Sequence, residues 1–349
     1  MIINVINRRI RLTYMFERLR NKCKKYIREG GEFLIDNNTE FLVFLPATDY
    51  YYLPYFQLYH YTNVHVEFSY SNSTLAISKL LGMFSMQSPY KKYSKVKYDK
   101  NKKYVIFFDG QYALASREFR QYLQEAYPGC QIIFHLGDLI KTKKGINIEN
   151  IKTFADLVVT YDHNDADEYQ LTYHADPYSQ LSEDMLAGSY VESGVIFYGL
   201  AKNRADEIVQ VYDKLKKNGI ACDFSIPDLA EEFFLKRPEL AGAHFVPYLE
   251  YLKRVQKSKC LLEIIQKGSR GCTFRTWEAI VYNKKLITNN PSVKEESFYN
   301  PKYIQVIDSF NDLDTEWIKE DIDIDYNFTK ELSPSACFKF YLECLRKNK

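Results

Sequence analysis

Residues 266–278 read Gln266-Lys267-Gly268-Ser269-Arg270-Gly271-Cys272-Thr273-Phe274-Arg275-Thr276-Trp277-Glu278. These types in this order suit the binding of an anion. Gly268 and Gly271 permit close backbone approach and positive φ. Thr273 is placed to cap a helix, and the free N–H groups of that helix start would face the loop as a phosphate site. Arg275, in the first turn, would add a fork of donors to a diphosphate. Glu278, one turn in, could accept hydrogen bonds from ribose hydroxyls. The plainer explanation is that glycine-containing strand–loop–helix turns are common, and that the helix dipole alone favours an acid near a helix start.

Were the bound anion a diphosphate departing in a group transfer, its charge would need stabilising, and an attacking hydroxyl would need a base. The base should come from a loop at the strand ends of the other half of the chain. Asp109 directly follows the apolar run Tyr104–Phe108. Asp162 and His163 follow DLVVT, Asp49 follows FLVFL, and His135 ends QIIFH. Each has an ordinary role as a cap, a turn residue or, for His135, a packed core side chain. Asp109 and Asp162 are the expected catalytic acids, Asp109 foremost. Asp165-Ala166-Asp167 and the acidic run Asp321–Asp325 spell the pattern that holds manganese in some transferases. With no further ligand cluster beside them, neither is expected to bind a metal.

The elements that must position these groups follow from apolar periodicity. Short buried-type runs at Phe41–Leu45, Val64–Phe68, Tyr104–Phe108, Gln131–His135 and Asp156–Thr160 alternate with polar or helical stretches, one of them Ser116–Ala126. Such runs read as parallel strands. The alternation restarts after a polar connection at 180–193. Strands are expected at Val195–Leu200, Ile220–Ile226, Lys259–Ile265, Lys285–Asn289 and Tyr303–Ile307. Helices are expected from Asn203 as cap to Asn218, over Tyr248–Ser258 and after Thr273. A last helix, Ser335–Leu345, could pack on either half. Two such halves imply two facing Rossmann-like domains, with ligands beyond the carboxyl ends of the strands.

The 349 residues suit two domains. A composition of 46% hydrophobic and 26% charged residues suits full-sized cores, and a net charge of +2 gives no general attraction to nucleic acid, which is not an expected partner. The seven cysteines include no pair at two-residue spacing, so free thiols in a reducing compartment are expected. No apolar run reaches the ~18 residues of a membrane span, and the first residues lack a signal-peptide core. The cytoplasm is the expected location. Residues 1–30 carry Arg8, Arg9, Arg11, Arg18, Arg20, Lys22, Lys24, Lys25 and Arg28, with apolar residues at helical spacing. This basic amphipathic segment could lie on the inner face of a membrane or pack on its own domain. The aromatic run Tyr50–Tyr61 could face an acceptor sugar or fill a core.

The stretch LLEIIQKGSRGCTFRTWEAIVYNKKLITNN resembles the donor-binding segment of bacterial GT-B glycosyltransferases from capsular and lipopolysaccharide clusters. The likeness lies in VIFYGLAKNRADEIV, in Gln266, Gly268, Gly271, Thr273, Arg275 and Glu278, and in Asn289-Asn290. Earlier, VVTYDHNDADEYQLTYHADPYS is similar where these proteins leave their first domain, with Asp162 and Asp165 in matching places. The resemblance covers about residues 150–310. It implies a GT-B type α/β fold with an interdomain cleft. The basic segment 1–30 would be followed by an acceptor domain at 31–185, a nucleotide-sugar-binding domain at 194–330 and a C-terminal helix at 331–349. Gly199, Lys202 and Arg204 would face the cleft, the two cations beside the donor phosphates. The implied activity is metal-independent transfer from a nucleotide-diphosphate sugar, with no other cofactor, to a surface polysaccharide or lipid-linked glycan. Many retaining members carry two glutamates separated by seven residues. Here Arg270 stands at the first position, which points towards an inverting enzyme. Epimerases and polysaccharide pyruvyl transferases on related scaffolds, and a non-catalytic member of an assembly complex, are the competing readings.

Overall fold

The computed structural model describes residues 33–45, 54–55, 61–68 and 96–347. The basic segment 1–30, Asp49 and most of the run 50–61 lie outside the described residues. The first sheet holds β1 (Thr39–Leu45), β2 (Val64–Phe68), β3 (Lys103–Asp109), β4 (Gln131–Leu136), β5 (Leu157–Thr160) and β6 (Thr172–Tyr173). Their order is β2-β1-β3-β4-β5-β6, with every pair parallel. Helices α1 (Arg117–Ala126), α2 (Ile148–Phe154) and α3 (His163–Tyr169) connect its later strands. The short α4 (Glu183–Leu186) lies in the connection to the second sheet.

The second sheet holds β7 (Ser193–Tyr198), β8 (Cys222–Ser225), β9 (Ser258–Glu263), β10 (Lys285–Thr288) and β11 (Ile304–Val306), again all parallel, in the order β11-β10-β9-β7-β8. Its helices are α5 (Ala205–Lys217), α6 (Glu231–Phe234), α7 (Tyr248–Gln256), α8 (Phe274–Val281) and α9 (Thr315–Lys319), and the last helix is α10 (Pro334–Lys347). Among the described residues no helix is long and apolar enough to cross a membrane.

The strands sit where continuous apolar runs require cover on both faces. Alternate residues of β1 and β3 go to opposite sides. Leu42, Phe44, Ile106 and Phe108 pack with α1 and α2 through Phe119, Leu123 and Phe154. Phe41, Val43, Val105 and Phe107 join a core that runs on to Leu261, Ile280 and Leu286 of the second half. One apolar cluster thus belongs to both sheets. The outer face of the second sheet closes separately, with Val195, Phe197, Cys260 and Leu262 against Ile208, Tyr212 and Leu215.

One expectation changes, one strand is new and one open alternative closes. Asn203 does not cap α5: Arg204 stands at the N-cap, without a side-chain cap. The turn before it is held instead by the Asp228 carboxylate, which accepts from Ala201 N (2.7 Å) and Lys202 N (2.9 Å). The two-residue β6 is too short to leave a period in the sequence. The last helix, open to either half, packs on the first sheet. The Phe338 ring meets Phe41 at 5.3 Å and Phe107 at 5.1 Å between centroids, and Tyr341 stacks on Phe107.

Phe338 is fully buried in the shared core. Truncating such a ring removes its transfer energy and leaves a cavity. Phe338→Ala should therefore cost about 3–5 kcal/mol, read from urea unfolding midpoints. A loss below about 1 kcal/mol, the ordinary mean for a point substitution, would show that α10 does not close this core.

Candidate functional site

The carboxyl ends of both sheets carry the residues of interest. Thr273 caps α8, its hydroxyl accepting from Arg275 N at 3.2 Å. The same hydroxyl donates to Glu263 Oε1 (2.5 Å) at the end of β9. Glu263 is buried and also accepts from Thr276 Oγ1 (2.8 Å) and Thr288 Oγ1 (2.6 Å). Three threonine hydroxyls therefore satisfy one buried carboxylate and pin the helix start between β9 and β10.

Two guanidinium groups crowd this edge. Arg275 Nη2 donates to the Tyr198 carbonyl at the end of β7, and its guanidinium lies over the Phe197 ring, 4.6 Å from the centroid. Gly199 holds a φ of 155°, which side-chain-bearing residues rarely adopt, and a Cβ there would press on Arg275 Nη2. Arg204 donates to the carbonyls of Leu200 (2.6 Å), Ala201 (3.1 Å) and Ile264. Burial, and then the neighbouring Arg275 charge, bring its pKa down to about 10. All three Arg204 nitrogens and one of the Arg275 nitrogens are thus turned onto strand-end carbonyls. Both charges remain at the edge.

Lys202 differs. Its backbone adopts a left-handed φ of 51°, fixed by Asp228. Its amine makes no hydrogen bond or ion pair with any described residue. The residue is exposed, yet enough protein surrounds the amine for desolvation to lower its pKa, with Asp138 and Lys143 of the first sheet among the charges acting on it.

The loop before α8 is the main correction. Gly268 has the expected positive φ (91°), and the Gln266 carbonyl accepts from Ser269 N at 3.1 Å. The anion in the bend is the protein's own. Asp162 Oδ2 accepts from Ser269 Oγ (2.8 Å), Arg270 N (2.7 Å) and Gly271 N (3.0 Å), while Oδ1 caps α3 through Asn164 N (2.9 Å) and Asp165 N (3.1 Å). Asn164 Nδ2 adds a bond to the Gly268 carbonyl at 2.8 Å. Gly271 lies so close to the Tyr161 carbonyl and Asp162 Cα that a side chain has no room. The Gly268–Gly271 bend is thus an interdomain joint, and Asp162, with both oxygens filled, is placed as a clasp and not as a base. Asn289 and Asn290 brace the same loop, through Ile265 N to Asn289 Oδ1 (2.7 Å) and Asn290 Nδ2 to the Gly271 carbonyl (3.1 Å).

Asp109 does not face the cleft either. It is fully buried at the end of β3 and accepts from His135 Nδ1 at 2.6 Å. His135 Nε2 lies 3.1 Å from Asp176 Oδ1. Burial alone would strip the imidazole of its proton. The Asp109 hydrogen bond, with the charges of Asp176 and Asp109, outweighs it and raises the pKa. Asp165 is also buried; its Oδ2 accepts from Ile140 N (3.0 Å), and Asp321 pairs with Lys259 (2.6 Å). Among the described residues, an acid that stands partly exposed at the first sheet's edge is Asp138, after β4. It pairs with Lys143 at 3.2 Å, and its backbone N–H is held by the Tyr112 hydroxyl at 3.0 Å. The rule that singled out Asp109, an acid just past an apolar run, applies equally to His135-Leu136-Gly137-Asp138.

Glu278 is buried in a cage of hydroxyls. Tyr251 donates to Oε2 at 2.6 Å, and the Tyr248 hydroxyl lies 3.0 Å from Oε1. Tyr248 is in turn 2.9 Å from the Tyr178 hydroxyl and 3.2 Å from that of Tyr55, on the first half of the chain. Glu278 therefore ties two halves together in place of reaching open solvent. Burial pushes its pKa up to about 7 against the ordinary 4.5, partly offset by the Tyr251 hydrogen bond. A cavity of about 510 Å³ lies at the opposite, amino-terminal edge of the second sheet, beside Ser193, Ser258 and Lys284. It holds none of these groups.

No family model matches the chain, and no curated protein matches it. Among solved structures it is similar to an alpha-glucosyltransferase in complex with UDP and a 13-mer DNA, with a TM-score of 0.53 at 11% identity, over 88% of this chain and 99% of that one. Lower similarity extends to a UDP-GlcNAc 2-epimerase from Neisseria meningitidis (TM-score 0.45, 10% identity, 88% and 99% covered). It extends also to a glycosyltransferase from Streptomyces nogalater (TM-score 0.42, 8% identity, 88% and 99% covered). The fold is of GT-B type, with two Rossmann-like domains.

Because the folded chain holds the Glu278 proton more tightly than the unfolded chain, its contribution is fully present below about pH 4.5 and lost as pH rises through about 7. Glu278→Gln should remove that loss, about 3 kcal/mol between these limits. Its stability relative to the parent should rise from pH 5 to about pH 7 and then level off in urea melts. A difference independent of pH would show that Glu278 is not held neutral.

Proposed function

We propose that the protein is a glycosyltransferase that takes its sugar from a nucleotide diphosphate and uses the cleft between the two sheets. The observation carrying this reading is the placement of Lys202, Arg204 and Arg275 at the carboxyl edge of the second sheet, with Asp138 of the first half near enough to Lys202 for its charge to act on the amine. Ligands of open α/β sheets bind at that edge. The three cations, set among the acids Glu263, Asp228 and Glu207, bring to this edge the positive charge that a departing diphosphate needs. Arg204 and Arg275 act as fixed charges, while Lys202 has its donors free for a phosphate oxygen.

In this reading the acceptor hydroxyl oxygen attacks the anomeric carbon as the carbon–oxygen bond to the diphosphate breaks. The hydroxyl proton passes to the Asp138 carboxylate, and the diphosphate leaves with its charge beside Lys202. Asp138 replaces Asp109 and Asp162 as the base, since of these three acids it alone is partly exposed. Attack from the opposite face inverts the anomeric centre, in keeping with Arg270 standing where the retaining subgroup has glutamate. The acceptor, a surface polysaccharide or lipid-linked glycan at the cytoplasmic face of a membrane, rests on the sequence resemblance.

Nucleoside diphosphates should raise the melting temperature, as any ligand of the native state does. Lys202→Ala should weaken the bound nucleotide roughly tenfold or more, the scale of one charge-assisted hydrogen bond, without lowering the ligand-free melting temperature. Asp138→Asn should leave nucleotide affinity nearly unchanged and cut transfer by roughly 10²–10⁴, the usual worth of a general base. No stabilisation by UDP, ADP, GDP or TDP would refute the nucleotide reading. Full transfer by Asp138→Asn would remove Asp138 as the base.

A further inference from the structure

The cradle at 269–271 is a working anion site with an anion in it. Three donors from successive residues converge on the single oxygen Asp162 Oδ2, at 2.7–3.0 Å. Successive N–H groups in a bend of this kind form a concavity that takes phosphate as readily as carboxylate. The occupant comes from the other sheet, more than a hundred residues earlier, and is fully buried. The cradle adjoins the N-terminus of α8 and shares its loop with Lys267 and Arg270.

We propose that Asp162 is a resident anion that holds this cradle against a phosphoryl group, so that a diphosphate binds there only when the turn between β5 and α3 withdraws. The identity of the ligand rests on the sugar-nucleotide reading; the competition itself does not. Withdrawal is local. It releases the three bonds to Oδ2 and the exposed Asn164 bond to the Gly268 carbonyl, while Oδ1 keeps its bonds within α3. A phosphoryl group carries more charge than a carboxylate and three acceptor oxygens, so it recovers what the cradle gives up. Ligand-free protein is thereby held closed, and the donor itself opens the joint.

Titration calorimetry at fixed ionic strength, with inorganic pyrophosphate and separately with UDP, tests this on the full chain. Asp162→Asn removes the resident charge and should bind pyrophosphate roughly tenfold more tightly than the parent, a usual size for a coupling between two sites. Asn164→Ala loosens the joint without touching the carboxylate or the cradle donors, and should shift affinity in the same direction by less. Adding Ser269→Ala to Asp162→Asn should reduce the gain. A folded Asp162→Asn with unchanged or weaker pyrophosphate affinity overturns the proposal, as does a gain that Ser269→Ala leaves intact. If Asp162→Asn does not fold, Asn164→Ala decides, and no gain there overturns it. Tighter pyrophosphate binding with no UDP binding in any variant would remove the nucleotide reading and leave the cradle standing.

Discussion

A buried carboxylate must be met by donors or it will not stay charged, and the Asp162 side chain is met by five. Two of them start a helix on the first sheet, and three shape the bend that leads into α8 on the second. One side chain thus sets the relative position of two strand-end loops that meet nowhere in sequence. The rest of the cleft depends on that alignment. The Asp138 charge acts on Lys202 because the two sheet edges are held near each other, and Gly271 is glycine because the joint is this close.

Around the clasp, other buried charges are handled by different chemistry. Glu263 is served by three threonine hydroxyls from three directions. Asp109 and Asp176 sit on either side of His135. Glu278 is met by two phenols, and burial outweighs their hydrogen bonds and the Arg275 charge, so its proton affinity rises. The two domains are joined by the clasp, by the tyrosine cage and by a continuous apolar core. A large apolar interface of this sort argues for small, local motions at the loops and against free rotation of whole domains.

Much of the architecture was legible from residue order. Runs such as FLVFL and YVIFF are apolar on both faces and can only be covered strands, and Thr273 sits where a helix start needs a hydroxyl. The two-sheet division followed from the restart of that pattern after 193. The site was legible in its residue types and not in its pairings. Nothing in Gly268–Gly271 says whether a bend will hold a ligand's phosphate or an aspartate over a hundred positions away. Nor does the spacing of Arg204 and Arg275 say that carbonyls of the strand ends will take their donors. Exposure separates Asp109 from Asp138, two acids that each follow an apolar run, and exposure is a property of the assembled sheet.

The place of α10 has a consequence for how this chain is made. Its aromatic residues complete the face of the first sheet, yet they lie roughly 170 residues beyond β5. On a ribosome adding about 5–20 residues per second, that interval is on the order of ten to thirty seconds. Throughout it the nascent first sheet carries Phe41 and Phe107 without their final cover. The N-terminal half can collapse early, but this face cannot mature until α10 has been synthesised, so the first sheet and the last helix must finish folding together.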